Sequence, residues 1–361
     1  MKKMFPLGCA GLGIQSSSIE NPVSLIEPTI EEKFNLLKEA EVWDFLDHIP
    51  IKEQQIDAYI KASQKFNLPI YSGYGLYTLG LDEKNEFKKN IDLTHAVGAK
   101  YHNVMLSAKD INKAYISNNQ VAELYLHFYE YADKKGITIT FENHVDNWSE
   151  DYRRVLQVAD VVESKGVRFN MAMDYSHCIF KIENEIEIFT SGFRGNNEAI
   201  MKLDPYNSNS YADDWLNRQL ITWAQIRPAV PNGPRNWWAG ESCPWDGLGN
   251  DRPGRGIQYP FSQPKAGEWH TEFWHAHKLA CTKEIIRKVI DHYLYDPLSN
   301  IKLMTVDNIN LWSYGLGWKY NMFNDSCLVA QYIREIYAER AAISEAKKDK
   351  NSNQFVEQYR L

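Results

Sequence analysis

Cysteine is sparse in this 361-residue chain, and the five present (Cys9, Cys178, Cys243, Cys281 and Cys327) are scattered. No C-x-x-C pair exists, so neither a zinc ribbon nor a disulfide framework organises the fold. That usage fits a reducing compartment, and a cytoplasmic protein is expected. No apolar run approaches the roughly 20 residues of a membrane span. The first residues imitate a short signal peptide, but Pro6, Gly8 and Gly11 interrupt any apolar core, and the segment reads as a first strand. Basic runs are missing as well. With a net charge of −7, the chain is not built to bind a nucleic-acid backbone. Gly8, Gly11 and Gly13 have the wrong spacing for a dinucleotide-binding G-x-G-x-x-G, and G-x-S-x-G, a phosphate-cradling loop and H-E-x-x-H are all absent. Nucleotide binding, serine hydrolysis and zinc proteolysis therefore lose their sequence signatures.

What is present is an ordinary globular composition, 44% apolar and 24% charged, able to bury a substantial core. Strand-like runs occupy Leu7–Ile14, Val42–Asp47, Pro69–Tyr74, His102–Ser107, Ile137–Glu142, Arg168–Asp174, Ile221–Arg227 and Lys302–Asp307. Amphipathic stretches separate them at Ile30–Ala40, Lys52–Phe66, Glu83–Val97, Gln120–Lys135 and Glu150–Lys165. In the second of these, Ile56, Tyr59 and Ile60 recur at the spacing of one helix face. Gly136 and Gly166 each follow a polar helix end and precede a β-forming run, the punctuation of chained βα units. Strict alternation implies parallel strands with crossover helices, and eight such units predict a (β/α)₈ barrel. One barrel domain over residues 1–344 is expected, followed by a polar tail over 345–361. Two segments exceed normal loop length, residues 180–219 after the sixth strand and the Trp-rich 228–268 after the seventh. Both leave the carboxyl ends of strands, where barrel active sites sit, and they read as lids or docking surfaces.

The fifth and sixth strands each end in a carboxylate followed by a histidine. Residues 138–144 deliver Glu142 and His144, and residues 170–177 deliver Asp174 and His177. Strand alternation puts Glu142 and His144 on one face. Carboxylate oxygens with imidazole suit a divalent metal, Mn²⁺ first, with Mg²⁺, Co²⁺ or Zn²⁺ as alternatives. By the same parity the seventh strand offers Gln225 as an oxygen ligand and Arg227 as an oxyanion partner. The eighth ends in Asp307, a fourth ligand. The expected metal set is Glu142, Asp174, Gln225 and Asp307, with His144, His177 and Arg227 as the catalytic candidates. His144 is the expected base, because a neutral imidazole beside a metal can take a proton from an acidified carbon. Each carboxylate could instead cap the helix that follows it. A rival cluster, Glu268, Glu272 and His275, would share one side of a helix, and Glu241 on the long loop is a further candidate acid.

These strand ends resemble the xylose isomerase-like barrel family of sugar epimerases, inosose dehydratases and endonuclease IV-type proteins. The likeness lies in the Phe141-Glu142-Asn143-His144 run and in the Asp174-x-x-His177 run. The family adds a histidine on the seventh strand and a glutamate on the eighth, whereas this chain has Gln225 and Asp307. Residues 6–15, Phe141–His144 and the Trp-rich segment are further similar to the catalytic α subunit of C-glycoside deglycosidases. That resemblance implies a metal-dependent lyase that cleaves a 3-oxo-glucoside of a flavonoid-type aglycone at carbon and works beside a small β subunit. A sugar or inosose isomerase, epimerase or dehydratase shares the first step, metal-assisted enolisation. A non-catalytic sugar-binding subunit is the contrasting outcome.

Overall fold

Thr29 opens the first helix with a reciprocal cap. Its hydroxyl accepts from the Glu32 N–H at 3.2 Å, and the Glu32 carboxylate accepts from the Thr29 N–H at 2.7 Å. Ser117 and Gln120 repeat the device on the fourth helix. At helix ends, Gly136 and Gly166 take the left-handed backbone at φ +66° and +78°, where a side chain would be strained. Such local signals set the order of elements in the computed structural model, which describes residues 2–14, 28–47, 52–233, 258–268, 273–309 and 320–358.

That order is β1 (Leu7–Ala10), α1 (Ile30–Ala40), β2 (Phe45–Asp47), α2 (Ile56–Phe66), β3 (Ser72–Tyr77), α3 (Glu83–Ala96), β4 (Tyr101–Leu106), α4 (Asn118–Lys134), β5 (Thr138–Glu142) and α5 (Arg153–Glu163). It continues through β6 (Met171–Asp174), α6 (Ser176–Ile179), α7 (Glu185–Thr190), α8 (Asn197–Met201), α9 (Tyr211–Asn217), β7 (Ile221–Ile226), α10 (Ala280–Tyr295), β8 (Leu303–Val306) and α11 (Met322–Gln358). The strands pair in the order β2-β1-β8-β7-β6-β5-β4-β3, and every pairing is parallel. A parallel bridge between Leu46 and Ile70 brings β2 against the chain entering β3 and closes the ring. The fold is a (β/α)₈ barrel.

Alternation along the strands divides the buried side chains into two sets. Phe141, Met173, Ala224 and Met304 point outward into the main core under the helices. Burying each large apolar side chain there contributes roughly 1.5–3 kcal/mol. Phe45, Ala172, Trp223 and Leu303 form a separate cluster inside the barrel. Two residues further along the same strands come Asp47, Asp174, Gln225 and Thr305, all buried. Arg227 and Asp307 follow at the mouth. Above its apolar floor the barrel is therefore lined with buried polar groups, whose burial requires partners.

The 180–219 segment is a packed part of the fold rather than a lid. Its Tyr211 and Trp215 rings lie 5.3 and 5.8 Å from Tyr152 beside α5, and Trp215 is fully buried. Of the Trp-rich segment, residues 228–233 and 258–268 are described. They are tied down by the Tyr259 N–H bond to the Pro228 carbonyl at 2.8 Å and by apolar packing of Val230 and Tyr259 with Leu279 and Met322. The polar stretch after residue 344 continues α11. Among the described residues no helix is long and apolar enough to cross a membrane.

Candidate metal centre

Glu142 ends β5, and its register partner Ala172 is in the barrel's interior cluster, so the Glu142 carboxylate is directed inward. It accepts a hydrogen bond from the Asn103 amide on β4. Two residues on, the chain has left the strand and presents His144 to the same space. The Nδ1 of His144 lies 2.7 Å from the Val145 carbonyl, which can only accept. Nδ1 therefore carries the proton, and the lone pair is on Nε2. His177, in the short helix after β6, brings its ring to 4.1 Å from that of His144. Ligand atoms of Glu142, His144 and His177 lie within 4.8 Å of one another.

Burial, and then the neighbouring His177, push the His144 imidazole well below its ordinary range, so it is neutral at pH 7. Burial lowers His177 as well, against the opposing pull of Asp174. A carboxylate with two neutral imidazoles is the donor set of a borderline divalent ion such as Zn²⁺, Mn²⁺, Co²⁺ or Fe²⁺. The Nδ1 of His177 is buried and has no hydrogen-bond partner among the described residues. The residues present fit a metal.

The other expected ligands are organised differently. Arg227 reaches between Asp174, 3.0 Å from its Oδ2, and Asp307, 2.5 Å from its Oδ2. Its Nε also donates to the Asp307 carbonyl at 3.0 Å. All three residues are buried. Burial raises the Asp174 carboxyl, but the Arg227 charge and then His177 outweigh it and hold Asp174 well below the usual carboxylate range. Asp174 stays ionised, paired with a guanidinium. Gln225 is buried beside Asp174 in the β6–β7 register.

A cavity of about 250 Å³ opens on this cluster. Glu142, His144, Arg227 and Asp307 form its polar wall, and Leu12, Leu76, Met105 and Ile309 form an apolar one. Tyr74 lines it too, and burial followed by the charges of Asp307 and Glu142 raises its phenol. Asp174, His177 and Gln225 are not among the described residues of that lining. Tyr74 and Asn103 were missed as site residues. Both have the inward parity on strands that the sequence delineates, and that parity is the signal for them.

In the rival cluster the expected helix does not form around His275, which has extended backbone and an exposed side chain. Glu268 accepts from the Lys265 N–H at 2.8 Å. Glu241 and Glu272 lie outside the described residues.

No family model matches the chain, and no curated protein matches it. Solved structures do share its fold. D-allulose 3-epimerase from Methylomonas sp. aligns at 13% identity over 94% of this chain and 98% of that one, with a TM-score of 0.51. An L-ribulose 3-epimerase aligns at 12% identity over 97% and 98%, with a TM-score of 0.50. A xylose isomerase domain protein from Planctomyces limnophilus aligns at 9% identity over 94% and 100%, also at 0.50. At these identities the likeness establishes the barrel and nothing finer.

Proposed function

We propose that this chain is a metal-dependent enzyme that moves a proton at a carbon beside the carbonyl of a sugar-type substrate, as an isomerase or epimerase does. One observation carries the reading: the proton-free Nε2 of His144 stands beside Glu142 in a cavity that Arg227 also lines. Glu142 and His177, beside His144, would hold a divalent ion, Mn²⁺ or Zn²⁺ being suited to carboxylate and imidazole donors. Bound there, the ion supplies the positive charge that acidifies a carbon next to a carbonyl. His144 keeps its Nε2 lone pair for the substrate and is the base that takes the proton, since its imidazole is neutral at pH 7. Arg227 brings positive charge toward the oxygen that becomes anionic, and Asp174 and Asp307 fix its position. Two of the structures with this fold are ketose 3-epimerases by name, the same class of chemistry.

The apolar wall favours a second reading. Leu12, Leu76, Met105 and Ile309 offer nothing to a free sugar's hydroxyls but suit an apolar substituent. In that reading the enediolate expels the aglycone of a 3-oxo-C-glucoside as a carbanion that takes up a proton at the cleaved carbon, the sugar leaving as the unsaturated ketone, and the chain works as the catalytic subunit beside a smaller partner. An assay of the Mn²⁺-loaded protein on free ketoses and on 3-oxo-C-glucosides separates the two. Turnover of neither substrate class, with full metal loading, contradicts both.

A further inference from the structure

Arg227 follows β7 and Asp307 follows β8, and both reach the metal cavity. The chain beyond each is held by the same two residues, Gln258 and Tyr259. The Tyr259 N–H donates to the carbonyl of Pro228, the residue after Arg227, at 2.8 Å. The Gln258 side chain grips the other strand's exit. Its Oε1 accepts from the Ile309 N–H at 2.8 Å, and its Nε2 donates to the Ile309 carbonyl at 2.7 Å.

Gln258 is buried and does not itself line the cavity. Its Nε2 also reaches the Met322 sulfur at 3.6 Å, so the amide is spent within the protein. Any influence it has on a ligand therefore passes through Ile309. The returning end of the Trp-rich segment has other anchors. Tyr259 packs with Val230, Leu279 and Met322, and Asp325 accepts from the Phe261 and Ser262 N–H groups at 3.0 and 3.2 Å.

What the amide adds is the placement of one residue. Ile309 lines the cavity on its apolar side, with Leu12, Leu76 and Met105. Two bonds to a single planar amide fix both backbone polar groups of Ile309. Its β-branched side chain is stiff at χ1, so the direction of its methyl groups follows that backbone. The residue before it is held as well, Asn308 Nδ2 donating to Ser326 Oγ at 2.9 Å. Gln258 thus sets how far the Ile309 side chain stands into the cavity.

We propose that Gln258 is a specificity-determining positioning residue, which holds Ile309 against an apolar substituent on the substrate. The inference rests on the proposed function in taking this cavity as the substrate site, and not on which reaction occurs there.

The test measures by calorimetry the binding of phenyl and methyl β-D-glucopyranoside to the Mn²⁺-loaded full chain. The wild type is expected to prefer the phenyl glucoside. Gln258→Met keeps the side chain's length and loses both bonds, and it should cut that preference roughly three- to tenfold, the worth of one or two buried methylenes. Ile309→Ala should cut it to a similar degree. Adding Gln258→Met to Ile309→Ala should cut it no further, because the amide acts through Ile309. Amide hydrogen exchange at Ile309 should speed up in Gln258→Met while Phe261 and Ser262 stay protected, with metal content unchanged. One reading needs no variant: in the wild type, phenyl glucoside should slow exchange at Ile309 more than methyl glucoside does. Equal binding of the two glucosides, a preference untouched by Gln258→Met, a further loss in the double variant, or equal exchange at Ile309 with both ligands each overturns the proposal. The expected binding differences without turnover of any substrate would support it and count against the proposed reaction alone.

Discussion

The Nδ1 of His144 lies 2.7 Å from the carbonyl oxygen of Val145, the next residue in the chain, and so the imidazole's lone pair is on Nε2. A backbone carbonyl thus sets the tautomer of the proposed base without help from any other side chain. His144→Ala is expected to lower turnover by about 10²–10⁴-fold, the usual weight of a positioned general base. Circular dichroism should show an unchanged fold. Unchanged steady-state turnover would remove His144 from the mechanism.

Glu142 is the carboxylate of the candidate donor set and is held by Asn103. Glu142→Ala should lose the metal itself. Metal analysis after gel filtration should give about one divalent ion per chain in the wild type, as one such set implies, and far less in the variant. Equal metal content in the two proteins would place the ion elsewhere.

Arg227 neutralises two buried carboxylates at once, at 3.0 Å from Asp174 and 2.5 Å from Asp307. Removing it leaves both charges unmatched, and breaking a buried pair in this way costs about 3–5 kcal/mol. Arg227→Met is therefore expected to lower stability by that amount in urea denaturation. Arg227→Met with Asp307→Asn should recover part of the loss. No change in the single variant would mean that the carboxylates are not buried as described.

Asp325, at the start of α11, accepts from the Phe261 and Ser262 N–H groups at 3.0 and 3.2 Å and so anchors the returning end of the Trp-rich segment. Burial pushes its carboxyl up to about 6, from an ordinary 3.8, despite those bonds. The folded chain keeps this proton in a window where the unfolded chain has released it. Its contribution to stability is then fully present below about pH 4 and is lost as pH rises to about 6. Wild type should lose stability relative to Asp325→Asn over that interval, by a few kcal/mol at most. Parallel stability curves for the two proteins between pH 4 and 7 would contradict the burial of this carboxylate.

Most of the barrel was legible because its signals are local. Ile30–Ala40 carries a capping box at Thr29 and an apolar stripe, so its bounds in sequence and structure coincide. Gly136 and Gly166 mark helix ends because only glycine sits there without strain. Strand ends were less sharp: the first strand stops at Ala10 rather than Ile14, where the chain turns through a short 3₁₀ segment. The pairing of Glu142 with His144 was readable from period-two alternation. The Arg227 fork was not, since its partners come from β6 and from the end of β8, and no periodicity reports the distance between strands. Nor could the sequence show that Tyr211 and Trp215 pack the 180–219 segment down, because a buried aromatic and a ligand-facing one look alike in sequence.

Proton abstraction beside a carbonyl leaves an isotopic mark whatever becomes of the enediolate. The most direct measurement incubates the metal-loaded chain with D-allulose, D-fructose and a 3-oxo-C-glucoside in D₂O and follows the carbon-bound protons by NMR. Deuterium entering the carbon beside the carbonyl, lost on chelation and in His144→Ala, is the predicted result. Unlabelled substrates throughout, with full metal content, would contradict the proposed chemistry.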